Sequence, residues 1–191
     1  TDFIAARFSS SLVSSSAILV ILTLALIWVY ATIRFKWDFA LGAVLAIIHD
    51  ALIMVTFIAW TQMEFDSLTV AAILTIIGYS INDTVVVLDR VRENLKLVKV
   101  KSIKELLDLS QTEMIRRTII TTITTLLAAV SLFVFTTGSM KNFALALIVG
   151  MLSGVYSTIY IAGAFIALAR RNWKPSDEEK KSQVKELNLE D

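Results

Sequence analysis

The chain has 191 residues, 56% of them hydrophobic, and its 18 basic and 17 acidic residues leave a formal charge of +1. With a mean hydropathy of +0.71 and its apolar residues gathered in blocks, it carries more apolar side chain than one soluble core of this length buries, which makes it an integral membrane protein. Basic clusters that flank apolar blocks without interleaved aromatics exclude nucleic-acid binding, the absence of cysteine excludes a disulfide framework, and a single histidine argues against a protein-built metal centre.

Residues 1–11 form an extracytoplasmic lead-in too short to span and without a signal-peptide pattern; Thr1, where an initiator methionine would stand, predicts a piece of a longer chain. The first span is predicted at about 12–33, with Trp28 and Tyr30 near its end, where amphipathic rings favour the headgroups. The second, about 39–60, follows Asp38, a candidate cap, and ends in the acidic loop TQMEFDS. The third, about 68–88, runs into Asp89, Arg90, Arg92 and Glu93.

A polar, basic stretch follows. Within it Ser102 and Glu105 have capping-box spacing, and Ile103, Leu106, Leu107 and Met114 share a helical face, which predicts a connector helix at about 102–114 lying on the membrane surface. A fourth span at about 118–137 follows Arg116 and Arg117; the tight turn TGSMKN leads to a fifth at about 143–168, and 171–191 form a charged tail. The expected fold is all-α, with five transmembrane helices. All basic residues except Arg7 and Lys141 fall on one side, so the positive-inside rule puts the N terminus outside and the C terminus in the cytoplasm.

Chemistry within the spans is confined to a few residues. Apart from tyrosine, their ionisable side chains are His49, Asp50 and Asp83. A carboxylate in a membrane-length apolar segment costs a few kcal/mol or more unless it is paired, hydrated or protonated, so it marks an ion or proton path. A 100° step per residue sets Thr75, Tyr79, Asn82, Asp83, Val86 and Arg90 on one broad face of the third helix. On the fourth, Arg117, Thr121, Thr124, Ala128 and Ser131 make a small, hydroxylated stripe ending in a cation. Asp83 lies about 8 Å from the inner end of its helix, within reach of Arg117, and such a pair responds to protonation. Asp50 is the candidate for a second polar site, whereas His49, about 100° away on the same helix, forms no simple dyad with it and reads as a packing residue. The proton-pathway candidates are therefore Asp83, Arg117, Asp50 and Asn82. Gly78, and Gly150 and Gly154 at GxxxG spacing, are candidates for close helix packing. Tyr156 and Tyr160 read as internal hydrogen-bonders.

No Walker loop, Rossmann glycine pattern or metal-ligand cluster is present, and no cofactor is expected. An intramembrane aspartyl protease would need its two carboxylates at one level; here their depths differ by roughly 9 Å, and the Gly-x-Gly-Asp pattern is missing. The chain does not read as an enzyme.

Three segments, RFKWDFALGAVLAIIHD, GYSINDTVVVLDRVREN and RRTIITTITTLLA, closely resemble signatures of the SecF family of bacterial protein export, and the resemblance covers about residues 12–170. It implies half of an RND-like helix bundle, corresponding to the second to sixth helices of that family, without the first helix and extracytoplasmic domain. It also implies SecD, the SecYEG channel, a preprotein and the lipid bilayer of the cytoplasmic membrane as partners, and the proton-motive force as energy source. Asp83 matches the family's membrane carboxylate, Arg117 the arginine before its Thr-Ile-Ile run, and Asp50 the aspartate of its His-Asp pair. An RND-type small-molecule/proton antiporter and a structural scaffold of the translocon are the rival readings.

Overall fold

A computed structural model of the chain describes residues 2–97, 100 and 102–171, with side chains from Ser11 onward. All regular structure among these residues is helical: α1 (Asp2–Arg34), α2 (Trp37–Thr61), α3 (Ser67–Leu97), α4 (Ile103–Phe135), α5 (Ser139–Tyr156), a π-helical turn (Ser157–Ala162) and α6 (Gly163–Ala169). The last three follow one another without a break, so there are five rods, each long and apolar enough to cross a membrane. The lead-in is already helical from Asp2, and the charged tail past residue 171 lies outside the described residues.

α3 is the axis of the bundle, packing against α1, α2, α4, α5 and the π-helical turn. α1 lies outermost: only 6% of its apolar window is buried, and Ile18, Ile21, Leu26, Val29 and Ile33 point outward. Lipid is as apolar as leucine, so rods in a membrane associate through close packing and polar contacts. Gly150 supplies the closest approach. A Cβ there would lie 2.5 Å from the side chain of Ile76, so α5 sits on α3 with no room for a methyl group. At Gly154 a Cβ would meet only ordinary contacts with Ser80 and Asp50, and at Gly78 nothing within 4 Å. Gly78, expected to pack, is instead on the exposed side of α3.

Two apolar clusters frame the bundle. The outer one joins Ile47, Met54, Ile73, Ile76, Ile77, Ala129, Ala146 and Met151; the inner one joins Phe35, Phe39, Leu88, Val91, Leu106, Leu107 and Ile166. The inner cluster corrects the expected connector. Ser102 caps α4 by accepting from the Glu105 amide, but the helix then runs without interruption to Phe135, because no glycine or proline breaks it. Ile103, Leu106 and Leu107 pack on Phe39, Leu88, Val91 and Ile166 and so cover the bundle's inner end rather than the membrane surface.

Charged contacts tie this end together. Arg34 donates to Asp89 at 2.8 Å, and Arg90 reaches Glu93 and Glu113 at 2.6 Å each. Asn94 Nδ2 donates to Ser110 Oγ at 3.0 Å and to Glu113 Oε2 at 2.7 Å. Asp38, expected to cap α2, pairs with Arg170 and fastens the start of α2 to the end of α6.

At the opposite end Gly138 enters α5 with φ +61, a conformation that suits a residue without Cβ. Asp66 caps α3, its Oδ1 accepting from the Thr69 amide at 2.8 Å and the Thr69 hydroxyl at 3.0 Å. Burial pushes this carboxyl up, but bonds from the Thr69 amide, Ser139, the Thr69 hydroxyl and the Leu68 amide outweigh it and hold Asp66 below the usual carboxylate value.

Two predictions follow from this packing. Gly150→Ala forces α5 off Ile76 and lowers the unfolding free energy by about 1–3 kcal/mol, whereas Gly78→Ala leaves it unchanged or raises it by up to about 1 kcal/mol; thermal unfolding in detergent distinguishes them. Because the folded Asp66 pKa is lowered, its stabilisation is complete above the unfolded carboxylate value and fades as pH falls through the folded one. Asp66→Ala should therefore cost about 1 kcal/mol at neutral pH and less at acid pH, as read from unfolding midpoints across that range.

Candidate functional site

Between the two apolar clusters lies a polar layer built by α2, α3 and the last rod. Asp50, 0% exposed, is its centre. Its Oδ2 accepts from Ser80 Oγ on α3 at 2.5 Å and from Ser157 Oγ at 2.7 Å; its Oδ1 accepts from Ser153 Oγ on α5 at 2.7 Å. His49 Nδ1 stands 3.3 Å from the same Oδ1. Just inward, Thr84 and Thr158 share a hydrogen bond of 2.8 Å between α3 and the π-helical turn. A buried carboxylate without donors would be prohibitive in such a setting; four donors from three rods make it a tie point.

The π-helical turn starts at Ser157, so the register of the last rod changes where it grips Asp50. π turns interrupt the i→i+4 ladder and occur often at functional sites. Here Gln111 of α4 donates to the Ile159 carbonyl at 2.9 Å. A Cβ on Gly163 would fall 2.6 Å from Gln111 Nε2, so glycine makes room for that side chain.

Asp83 sits elsewhere, at the contact of α3 with α4. Its Oδ1 accepts from Thr118 Oγ1 at 3.0 Å, while Oδ2 is buried with no hydrogen-bond partner among the described residues. One turn outward, Tyr79 donates to Thr122 Oγ1 at 3.3 Å, and a cleft of about 180 Å³ between α3, α4 and α5 reaches Tyr79 and Met151. Arg117 is exposed, and among the described residues it forms no ion pair with Asp83.

The expected stripe on α4 is thus displaced by one residue. Thr118, Thr122 and Ala129 turn inward, whereas Arg117, Thr121, Thr124, Ala128 and Ser131 are exposed. Thr121 and Thr124 spend their hydroxyls on carbonyls of their own helix, Arg117 and Ile120, at 2.9 Å each. Asn82 is likewise exposed, at the edge of α3 away from Asp83's partner. The structure therefore brings Asp50 together with His49 and three serines, brings Asp83 together with Thr118, and leaves Arg117 and Asn82 on the outside of this chain. Sequence reasoning named His49 only as a packing residue and did not single out Thr118 or Gln111.

Loss of one donor to Asp50 should be costly: Ser157→Ala is expected to lower stability by about 1.5–3 kcal/mol, the worth of a hydrogen bond to a charged group. Thr121→Ala, whose hydroxyl serves only its own helix, should shift it by less than about 0.5 kcal/mol in the same unfolding measurement.

Comparison with known proteins places this bundle. Residues 1–172 match the family described as protein export membrane protein SecD/SecF, C-terminal. The chain is 58% identical over 170 residues to the protein translocase subunit SecF of Treponema pallidum, covering 89% of this chain and 40% of that protein. It is 41% identical over 164 residues to the SecF subunit of Borreliella burgdorferi, covering 86% and 55%; it thus spans about half the length of the curated relatives it matches. Among solved structures it is similar to SecDF of Thermus thermophilus, described as a translocon-associated membrane protein, with a TM-score of 0.78 and 39% identity, covering 83% of this chain and 22% of that one. A second, super-membrane-facing form of SecDF matches with a TM-score of 0.75 and 38% identity, covering 84% and 21%. The chain is a multi-pass membrane protein and belongs to the SecD/SecF family of protein export membrane proteins, whose C-terminal membrane domain it represents.

Proposed function

We propose that this chain is the membrane part of a SecF-like subunit of the bacterial protein-export machinery, and that it uses the proton-motive force to promote preprotein movement across the cytoplasmic membrane. SecD and the SecYEG channel are its partners in this reading, with the base-rich ends of the rods in the cytoplasm. Relatives named as translocase subunits support it.

The observation that carries the proton-driven part is the state of Asp83. Asp50 has a donor on each oxygen, but Asp83 has one oxygen on Thr118 and the other buried with no donor among the described residues. Such a group is under-satisfied by about 1–3 kcal/mol, so its contacts respond to a proton. Uptake and release at Asp83 would shift the balance between its bond to Thr118 and its attraction to Arg117, changing how α3 packs on α4. A bistable packing contact biased by one charge is sufficient for a switch. Asp50 joins the path one step outward, since Ser80, which donates to it, lies on α3 about 4.5 Å outward of Asp83. Asn82 is exposed on α3 and in this reading would join the path from the side of a partner subunit.

The test uses the complete assembly in liposomes with preprotein, in sodium-free buffer. Asp83→Asn, with the carboxylate replaced by an isosteric amide, should abolish gradient-driven proton uptake and the gradient-dependent part of export together. Export that still follows the gradient in the variant overturns the reading, and Asp83 is then a tie between α3 and α4. Flux that requires a small organic solute and no preprotein would support the antiporter instead.

A further inference from the structure

The hydroxyl cage around Asp50 satisfies the carboxylate and also shuts it in. Ser80 and Ser157 are buried with it, and the apolar clusters lie on both sides along the bundle. His49 is the exception. Its Nδ1 lies 3.3 Å from Asp50 Oδ1, yet its side chain is 29% exposed. Its ring packs against that of Tyr156 at 5.9 Å between centroids, and Tyr156 packs against Tyr160 at 5.0 Å. These tyrosines, read from sequence as internal hydrogen-bonders, are 51% and 59% exposed.

The surroundings make this arrangement unusual. The exposed face beside it is aliphatic, with Leu45, Ile48, Leu52 and Leu152. Asp50 and His49 lie near the middle of a 25-residue helix, at the depth where a polar side chain on a lipid-facing surface is most expensive. His49 against Tyr156 and Tyr156 against Tyr160 nevertheless form a chain of three ionisable rings there. The groups recorded against His49 are Asp50 on its own helix and Tyr156 on α5, with Tyr160 of the π-helical turn beyond. Among the described residues, α1, α3 and α6 bring no charged side chain within ion-pair distance of it.

We propose that His49 is the proton relay of Asp50, carrying protons between the exposed Tyr156–Tyr160 face and the buried carboxylate; this rests on the proton-driven reading above and adds a residue to it. Facing an acceptor-only carboxylate, the neutral ring holds its proton on Nδ1. A hydronium ion at the Tyr156–Tyr160 face gives its proton to Nε2: an O–H bond breaks and leaves water, an N–H bond forms, and the ring becomes an imidazolium. The Nδ1–H bond then breaks as Oδ1–H forms, and the ring is neutral again with its proton on Nε2. One proton enters, one is delivered, and no electrons are exchanged with any other group. Protonated Asp50 accepts more weakly from Ser80, Ser153 and Ser157, so delivery loosens the tie between α2, α3 and the last rod.

The test again uses the complete assembly in liposomes, in sodium-free buffer, with proton uptake followed by a pH-sensitive dye. His49→Asn keeps a donor in the position of Nδ1–H but carries no proton; His49→Ala leaves space for added imidazole. Both should slow uptake about 10²-fold, the ordinary worth of a positioned proton-transfer group, and imidazole should restore His49→Ala while doing nothing for His49→Asn. Normal uptake in His49→Asn, or failure of imidazole to restore His49→Ala, overturns the relay. Asp83→Asn, run alongside, separates the two claims: if it abolishes uptake while His49→Asn is normal, only the relay falls. If it too leaves uptake intact, the proton-driven reading falls and the relay with it.

Discussion

A carboxylate cannot stay buried in the middle of an apolar bundle unless other rods bring it donors, and Asp50 organises this chain through that constraint. Ser80, Ser153, Ser157 and His49 reach it from three rods. Meeting them fixes the rotation of α3 and of α5 about their own axes. With Ser80 turned to Asp50, the next turns of α3 aim Thr84 at Thr158 and Asp83 at Thr118. The same rotation sets Ile76 against Gly150, where α3 and α5 come close. In water, hydrophobic burial would drive such contacts; among lipid tails it drives little, and polar contacts with small residues take its place.

The two membrane aspartates differ in how they are satisfied, and the roles proposed for them rest on that difference. Asp50 is enclosed and fully partnered, which suits a tie whose release is felt by several rods at once. Asp83 accepts from the Thr118 hydroxyl and has a buried oxygen with no partner among the described residues, which is what the proposal asks of a group that changes state readily. The π-helical turn adds a mechanical link. It begins at a serine of the Asp50 cage, and Gln111 of α4 holds its Ile159 carbonyl. The turn thus connects the Asp50 cage with α4, the helix that carries Thr118.

Much of this was legible in the sequence. Five apolar blocks of membrane length became five rods, and the turn at Gly138 and the cap at Ser102 appear where residue chemistry put them. Asp50 and Asp83 were identifiable because charge is so costly at their depth. Their partners were harder to read. On α4 the choice between Arg117 and Thr118 is a single 100° step, and threonines at 118, 121, 122 and 124 leave hydroxyls on several faces; tertiary packing decided it. His49 was set aside because neighbours on a helix diverge, yet its side chain folds back far enough to bring Nδ1 near the Asp50 carboxylate. The surface helix failed for a different reason. An amphipathic face signals that something apolar will cover it, without saying whether that is lipid or the protein's own inner end, and Leu88 and Ile166 provided the cover.

The central claim is that the buried carboxylates take up and release protons as the machine works. Infrared difference spectroscopy of the complete assembly, with and without an imposed proton gradient, tests it most directly, because a protonated carboxyl absorbs apart from a carboxylate. The account predicts a gradient-dependent protonated-carboxyl signal with two components, one lost in Asp83→Asn and the other in Asp50→Asn. A signal that is absent, or that survives both substitutions, would contradict it and leave the two aspartates as structural ties.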